Sequence, residues 1–405
     1  MTTSLVRRRE SEAGIVLPMT LILMALITAL TVAFVAFAST EPVIATNQME
    51  NAQARAIAES GIERALWALT KGETSPGFSG ALADPLPNPV PAPYNGQYVA
   101  VGVGGFVVTV ANGAAPNERT ITSVGYVPNN INPVAIKKIQ TTVTRVPFVP
   151  PPCAVCAGGE SPPGTNTQMQ IGGSASISAA GGGPGNPNYC AGVTPAAAAY
   201  ASGAINTNGS PDFTAPTGGA ALAPNQPNTN FTGVNGSGGF IFTDDNIAIL
   251  KSLAIANGAY YQGSQHWTSP PPGGIVFVDT PSGNVLGANS PSSDLITVDI
   301  HGNWAQGWSG WLIVKGSIDI SGNAQLTGLV YAQNDLTLHG NGNGRITGAV
   351  ISTNRVDSSY TNIDTDDVGN APVYYNCPAA RDGGGTIPQN WFVKPGFYRE
   401  VSGTS

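Results

Sequence analysis

The sequence predicts an α+β protein that is mostly β. Three observations support this fold class: an uncharged apolar run at residues 15–38, alternating apolar runs within residues 97–146, and glycine-led apolar runs that recur in residues 274–352. They predict a long N-terminal helix, then a small antiparallel sheet, then a right-handed β-solenoid. The predicted parts are a leader at 1–14, a transmembrane and stalk helix at 15–72, a linker and sheet at 73–152, and a glycine-rich solenoid-like head at 153–405.

The apolar run at 15–38 is 24 residues without a charge, and it follows a leader that contains Arg7, Arg8 and Arg9. As a helix it would extend about 36 Å, enough to cross a hydrocarbon core of about 30 Å. Because basic flanks stay on the cytoplasmic side, we expect a single crossing with the C-terminus outside the cytoplasm.

Three interpretations of this run are open. It is longer than the apolar region of about 7–15 residues in a secretory signal peptide, although Ala36-Phe37-Ala38 would supply a cleavage site. It could also be a plain membrane anchor. The third interpretation depends on the boundary itself, where the charged leader ends at Gly14 and the apolar run begins at Ile15.

A basic leader, a glycine and an apolar residue that opens a long helix resemble the class III signal of type IV pilin-like proteins. The segment GIVLPMT (residues 14–20) looks most like the PilX-like pilus assembly proteins. The resemblance implies that prepilin peptidase cuts between Gly14 and Ile15 and that the helix is kept. Pro18 would then lie in the first turn, where its missing N–H costs little. Met19 departs from the family, since most major pilins have glutamate there, and this departure favours a minor subunit at or near the filament tip.

The resemblance continues along the stalk helix. The segment AIAESGIERAL (residues 56–66) is similar to an "AEAGLEHAL"-like stretch of the PilX-like proteins. Ile57, Ile62, Leu66 and Leu69 form an apolar stripe at roughly helical spacing. The resemblance covers about residues 7–70 and implies other pilin subunits, prepilin peptidase and the inner membrane as partners.

Composition indicates that the rest of the chain is a turn-rich β protein. Only 10% of residues are charged, and Gly 51 and Pro 33 together fall below the level typical of disorder. The net charge is −7 and nothing in the sequence forms a basic face. Nucleic acid is therefore not expected as a partner.

Four runs with turn signals between them predict the antiparallel sheet, at residues 97–103, 106–110, 119–127 and 135–146. With the helix, they resemble the globular head of pilins. Residues 153–235 have poor strand signals, and only 171–177 suggests a short strand. A decorated loop, a glycosylated surface and a partner-binding face all remain open for this segment.

The four cysteines, Cys153, Cys156, Cys190 and Cys377, all lie in the predicted exported part, where disulfides persist. Two bridges are expected, and three connectivities are open. The CxxC motif is flanked by prolines and glycines, so a structural bridge is favoured over redox chemistry. A zinc site would need a second CxxC, and neither a metal nor a cofactor is expected.

A period of about 18–20 residues predicts the solenoid. The runs GIVFV (274–278), GWLIV (310–314), GLVYA (328–332) and GAVIS (348–352) begin 36, 18 and 20 residues apart. LITVD (295–299) is expected to fill the longest gap as one more turn, and the runs at 317–323 and 335–341 are nearly equivalent. Stacked turns would share one aliphatic core, with a β-sandwich as the alternative. The expected comparable inward positions are Val276, Ile313, Val330 and Val350.

Few residues are candidates for catalysis or for binding a ligand or metal. The chain has no GxSxG, HExxH or phosphate-loop motif, and its three histidines are His266, His301 and His339. Trp304, Trp308 and Trp311 are expected to be buried in the stack, with sugar or subunit stacking as the alternative. Asp364, Asp366 and Asp367 form either a solvated acidic turn or a site for a hard cation. Paired carboxylates on a solenoid can cleave polysaccharides, and the candidates for such a site are Asp299, Asp319 and Asp335, with Arg345.

The resemblance therefore implies a minor pilin-like subunit, not an enzyme, that acts in filament initiation, tip assembly or surface adhesion. It would reside in the inner membrane before assembly and in the pilus afterwards, with a surface glycan or host receptor as a candidate ligand. The alternatives are a membrane-anchored carbohydrate-active solenoid enzyme and an anchored adhesin unrelated to pili. Only the pilin interpretation requires cleavage after Gly14.

Overall fold

The computed structural model describes residues 13–74, 77–83, 86–114, 117–148, 151–159, 168–180, 196–232, 239–304, 306–340, 344–356, 365–370, 372–387, 390–394 and 396–401. The helices are α1 Ala13–Thr74, α2 Thr229–Thr232, α3 Asp244–Ala256 and α4 Cys377–Asp382, with a 3-10 turn at Ser292–Asp294. The strands are β1 Asn95–Val101, β2 Gly104–Asn112, β3 Glu118–Val127, β4 Ala135–Arg145, β5 Cys153–Ala157, β6 Met169–Gly173, β7 Ser176–Ser178, β8 Ala197–Ala201, β9 Ile205–Gly209, β10 Asp212–Thr214, β11 Ala220–Ala223, β12 Tyr260–Gln262, β13 Gln265–Trp267, β14 Gly274–Asp279, β15 Thr297–Gly302, β16 Trp308–Val314, β17 Ser317–Gly322, β18 Gln325–Ala332, β19 Leu336–Gly340, β20 Arg345–Ser352, β21 Thr365–Gly369, β22 Val373–Tyr375, β23 Trp391–Val393 and β24 Arg399–Glu400.

The chain divides into two compact units. The first consists of Met1–Thr144 and Trp391–Ser405, and the second is Arg145–Asn390. The second unit is therefore inserted in the sequence of the first, between β4 and β23. β23 and β24, near the C-terminal end of the sequence, join the sheet of the first unit.

The first unit is a long helix packed against an antiparallel sheet. The sheet has the order β1-β2-β3-β4-β23, and β24 also pairs with β4. The helix is 62 residues long, or about 93 Å, which matches the predicted long N-terminal helix. The four alternating runs that the sequence analysis assigned to this sheet correspond to the observed strands β1 to β4.

Small residues let α1 approach the sheet closely. The buried stripe of the helix recurs every three or four residues. Its members are Ala54, Ile57, Ala58, Ile62, Ala65, Ala68 and Leu69. A Cβ on Gly125 of β3 would overlap the main-chain carbonyl of Ala54, and one on Gly61 would overlap the Ser123 hydroxyl. Larger residues at either glycine would therefore separate the helix from the sheet.

The second unit contains two sheets whose described strand pairs are all parallel. One has the order β10-β7-β22-β20-β18-β16-β14-β12, with β5, β8 and β11 attached, and the other has the order β13-β15-β17-β19-β21-β6-β9. From β12 to β22 the chain alternates strictly between the two sheets, one strand in each. Parallel pairing differs from the antiparallel pairing of a β-sandwich, which was the sequence alternative.

The glycine-led runs are in register, as their spacing predicts. Gly274, Gly310, Gly328 and Gly348 are partners across β14, β16, β18 and β20. Two residues later, Val276, Leu312, Val330 and Val350 are partners and all belong to the main core of the unit.

Two details of that prediction are wrong. Leu312, not Ile313, is the equivalent of Val330, because Ile313 pairs with Phe277 and Tyr331 one position further on. Side chains alternate across a strand, so this one-residue difference places Ile313 on the opposite face. Residues 295–299 also do not form a turn equivalent to the glycine-led runs, since β14 pairs directly with β16 and β15 belongs to the other sheet.

The described residues of the segment with poor strand signals form seven short strands, β5 to β11. Ile171 and Ile177, expected in one strand, lie in β6 and β7. Strand β8 consists largely of buried alanine, and the buried strand β5 contains alanine, cysteine and valine. Both strands continue the stack beside β20. Alanine has little preference for strands, which is why the pattern was not visible.

Candidate functional site: the apolar helix and the histidine face

The first candidate site is the N-terminal part of α1. Gly14 and Ile15 lie in the first turn of the described helix, which begins at Ala13. Large apolar side chains from Val16 to Phe37 are 49–71% exposed, including Met19 at 69%. This helix is long and apolar enough to cross a membrane by length and composition, with a mean hydropathy of 2.7 in its most apolar window.

The polar groups of this segment are satisfied inside the helix. Each of its three threonines donates its hydroxyl to a backbone carbonyl three or four residues earlier. The bonds run from Thr20 to Leu17 at 2.8 Å, from Thr28 to Met24 at 2.6 Å, and from Thr31 to Ile27. Internal satisfaction of this kind suits a hydrocarbon environment, where an unpaired polar group is costly. Pro18 lies within the helix and likewise presents no N–H.

The C-terminal part of α1 changes character because it has a partner within the chain. Beyond Glu50 the helix buries one stripe against β2 and β3 and presents charges on its other side. Arg55 and Glu59 form an i,i+4 ion pair at 3.1 Å, and Tyr398 donates to the same carboxylate at 2.8 Å. The hydrogen bond to Glu59 is the main reason that the pKa of Arg55 is raised.

The cysteines are structural in their surroundings. Cys153 and Cys156 form a disulfide within β5, with Cα atoms 5.7 Å apart, and both are fully buried. Cys377, at the start of α4, is also disulfide-bonded and buried. Cys190 lies outside the described residues.

The acidic turn lies partly outside the described residues. Asp364 is outside them, whereas Asp366 and Asp367 are neighbours in β21 and Asp367 is buried. Within the described part of the chain, no group of three or more His, Cys, Asp or Glu side chains could hold a metal ion.

The second candidate site is a face of the seven-stranded sheet, which we term the histidine face. It consists of His266, Asp299, His301, Asp319, Ser321 and His339, on strands β13, β15, β17 and β19. All three histidines of the chain are therefore on four neighbouring strands. Parallel register brings them together: His266 pairs with Asp299, Asp299 with Asp319, and Ser321 with both His301 and His339.

Short contacts link these side chains. His266 Nδ1 is 2.8 Å from Asp299 Oδ2, and His339 Nε2 is 2.9 Å from Asp319 Oδ1. Ser321 Oγ is 2.6 Å from His301 Nδ1, and the rings of His266 and His301 stack with centroids 6.3 Å apart. Asp299 and Asp319 are partners in register, and each carboxylate has its own imidazole nitrogen within hydrogen-bond distance.

A groove of about 720 Å³ runs over this face. Its lining consists of polar side chains and glycines: Asp299, His301, Gly302, Asn303, Asp319, Ser321, Gly322, Asn323 and His339. Sequence reasoning named Asp299 and Asp319 as carboxylate candidates and noted the histidines, but it did not join them. The signal was the repeat D-x-H-G-N, D-x-S-G-N and T-x-H-G-N at residues 299–303, 319–323 and 337–341.

The other sequence candidates are not on this face. Asp335 accepts from Asn334 at 3.3 Å in the connection before β19, and Arg345 belongs to β20 in the other sheet. Trp304, Trp308 and Trp311 are buried, as expected. Trp308 donates to the Pro272 carbonyl and Trp311 to that of Ala380, so both indoles hold the fold together.

Comparisons with known proteins add little beyond these observations. No protein-family model matches the chain, and no curated protein matches it in sequence. Among solved structures, it resembles the crystal structure of the competence-associated pilin ComZ from Thermus thermophilus, at 12% sequence identity and a TM-score of 0.26. The match covers 87% of this chain and 96% of that one. A TM-score this low does not by itself show a shared fold.

Proposed function

We propose that the chain is a minor pilin-like subunit of a type IV pilus, of the PilX-like kind, that acts in filament initiation, tip assembly or surface adhesion. One observation carries the proposal. A single continuous helix has an exposed, internally satisfied apolar part, and its C-terminal part packs on an antiparallel sheet. The exposed part needs an apolar environment, which lipid supplies before assembly and the helices of other pilin subunits supply in a filament.

The position of Met19 supports a tip location. Its side chain is neutral and exposed where most major pilins have glutamate. In lipid-like surroundings, a neighbouring subunit's N-terminal amine would lack a carboxylate partner beside Met19, and an unpaired charge there is costly. A subunit without this carboxylate is best tolerated where no such amine must be satisfied. We therefore infer few copies per pilus, at the tip.

The proposal includes the architecture of the head. Strands that alternate between two parallel sheets, with a repeat near 18–20 residues, support a right-handed β-solenoid. The carbohydrate-active enzyme remains the second candidate, favoured only by the adjacency of Asp299 and Asp319, both of which have histidine partners.

Mass spectrometry of the native protein tests the processing step. We expect the mature chain to begin at Ile15, on the assumption that prepilin peptidase removes the leader after Gly14. The variant Gly14→Trp should keep the leader and stay in the inner membrane. Ser11→Trp, an equally bulky change within the leader, serves as the control and should be processed normally. A native chain that begins at Ser39 would contradict the proposal.

Immunogold labelling tests the position in the filament. Loss of the gene should reduce the number of pili, and the label should concentrate at filament tips. Even labelling along the shaft, at a density like that of the major pilin, would exclude a tip location.

A further inference from the structure

The histidine face has the chemical features of a binding site for polyhydroxylated chains. We propose that its groove binds a linear, neutral glycan. The inference does not rest on the pilin assignment, since it concerns the second unit alone. A protein that binds glycan but is not cleaved after Gly14 would separate the two proposals.

The first step is the lining of the groove. Ligand pockets for small organic molecules are mostly apolar. This groove has no aliphatic or aromatic hydrocarbon side chain among its described lining residues, but instead has carboxylates, imidazoles, amides and a hydroxyl. Histidine, serine and asparagine both donate and accept hydrogen bonds, and an ionised carboxylate accepts them at both of its oxygens. A sugar hydroxyl also donates and accepts, so the lining matches a surface of hydroxyl groups.

The second step is charge. Among the described lining residues there is no lysine or arginine, and the groove contains the two carboxylates of Asp299 and Asp319. Phosphate-bearing, sulfated or uronic-acid polymers would meet like charge there. Binding of nucleic acid depends on cationic side chains, which this groove does not present. A neutral glycan is not repelled by the two carboxylates and needs no cationic side chain for binding.

The third step is repetition. The same outward positions recur on β15, β17 and β19, and strands of a sheet are about 4.8 Å apart. Position one carries Asp299, Asp319 and Thr337, and position two carries His301, Ser321 and His339. A ladder of similar groups presents the same contacts at regular intervals, which suits a polymer of repeated units better than a single small molecule.

The fourth step is preorganisation. His266 and His339 hold the two carboxylates at 2.8 Å and 2.9 Å, and Ser321 is bound to His301 at 2.6 Å. The side chains of Asp299 and Asp319 are nevertheless 40% and 39% exposed. Groups that are positioned in advance and still reach solvent lose little rotamer entropy when a ligand arrives.

Calorimetric titration of the full-length protein in detergent tests the inference. The probes are cellohexaose, maltohexaose, chitohexaose and mannohexaose, with glucose and a heparin hexasaccharide as comparisons. At least one neutral hexasaccharide should bind saturably, about tenfold or more tighter than glucose, because several strands contribute contacts. The heparin fragment should not bind.

Variants localise the site. His301→Ala and Asp319→Ala should each weaken binding by about tenfold, the loss expected for one or more buried hydrogen bonds to the ligand. Asp212→Ala, at an exposed position of β10 outside the groove, is the matched control and should bind like the unaltered protein. Failure of all four neutral probes, binding of heparin alone, or unchanged affinity in both groove variants would each overturn the inference. Intact oligosaccharide after incubation is expected, and cleavage would instead identify the enzymatic alternative.

Discussion

Val155 in β5 pairs in register with Val350 in β20, although the two strands come from opposite ends of the second unit. In the sheet, β8 and then β11 lie on the far side of β5. On the far side of β20 the order is β18, β16, β14 and β12. The Tyr375 hydroxyl also donates to the Pro151 carbonyl at 3.0 Å. Strands from the beginning of the unit therefore meet strands from near its end inside the stack, not at the edges of the sheet.

A charge in the shared core should destabilise the second unit. Val330 is 1% exposed and lies between Leu312 and Val350 in neighbouring strands. Val330→Asp would bury an unpaired carboxylate, at a cost of about 3 kcal/mol or more. Thermal unfolding measures the loss, with Thr214→Asp at an exposed position of β10 as the control. An unchanged midpoint for Val330→Asp would show that this side chain does not face the core.

The four glycines that pair across β14, β16, β18 and β20, which we term the glycine ladder, should not tolerate replacement by alanine. Gly328 has φ +139, and a Cβ there would overlap the Gly310 carbonyl. Gly328→Ala should destabilise by about 1–3 kcal/mol through strain and displacement of the neighbouring strand. Gly287→Ala is the matched control, because nothing lies within 4 Å of a Cβ at that glycine. Equal unfolding midpoints for the two variants would contradict the observed strand register.

A buried carboxylate should make the second unit sensitive to acid. Asp279 is fully buried and bound by Lys251 at 2.6 Å and by Lys315 at 2.7 Å. Burial raises the pKa of Asp279, but hydrogen bonds from Lys251 and Lys315 outweigh it, and the net pKa is lowered. Because the folded pKa is depressed, this stabilisation is present above the unfolded value of about 3.9 and is lost as pH falls through the folded value.

Asp279→Asn tests this assignment. At neutral pH it should destabilise by about 3–5 kcal/mol, since Lys315 would remain buried without its carboxylate. Its unfolding midpoint should also fall less steeply on acidification than that of the unaltered protein. Asp212→Asn, at an exposed position, should follow the unaltered protein at every pH. Parallel pH profiles for Asp279→Asn and the unaltered protein would show that another group sets the acid response.

Two disulfides should be present in the native protein. The Cys153–Cys156 bridge is observed, and Cys377 is bonded, so Cys190 is its expected partner. Non-reducing peptide mapping should recover both linked pairs. Cys377→Ala should destabilise by about 2–4 kcal/mol, because the long loop would no longer be closed in the unfolded state. A free thiol at Cys190 would refute the second bridge.

The sequence revealed the parts of the fold in which local pattern and structure coincide. An uncharged run of 24 residues admits few structures besides a long apolar helix, and the alternating runs at 97–146 became β1 to β4. The glycine-led runs recur closely enough to fix their register from Gly310 to Gly348. The strands rich in alanine were missed, because buried alanine has no periodic contrast with its neighbours.

Local pattern, then, determined the N-terminal helix, the strands of the first sheet and the spacing of the glycine ladder, because each depends on residues close together in the chain. Tertiary structure decided which distant segments became neighbours. It paired Val155 with Val350, returned β23 and β24 to the first sheet, and brought His266 to Asp299. Such pairings depend on the burial of apolar surface shared by many strands, and no short stretch of sequence records that shared burial.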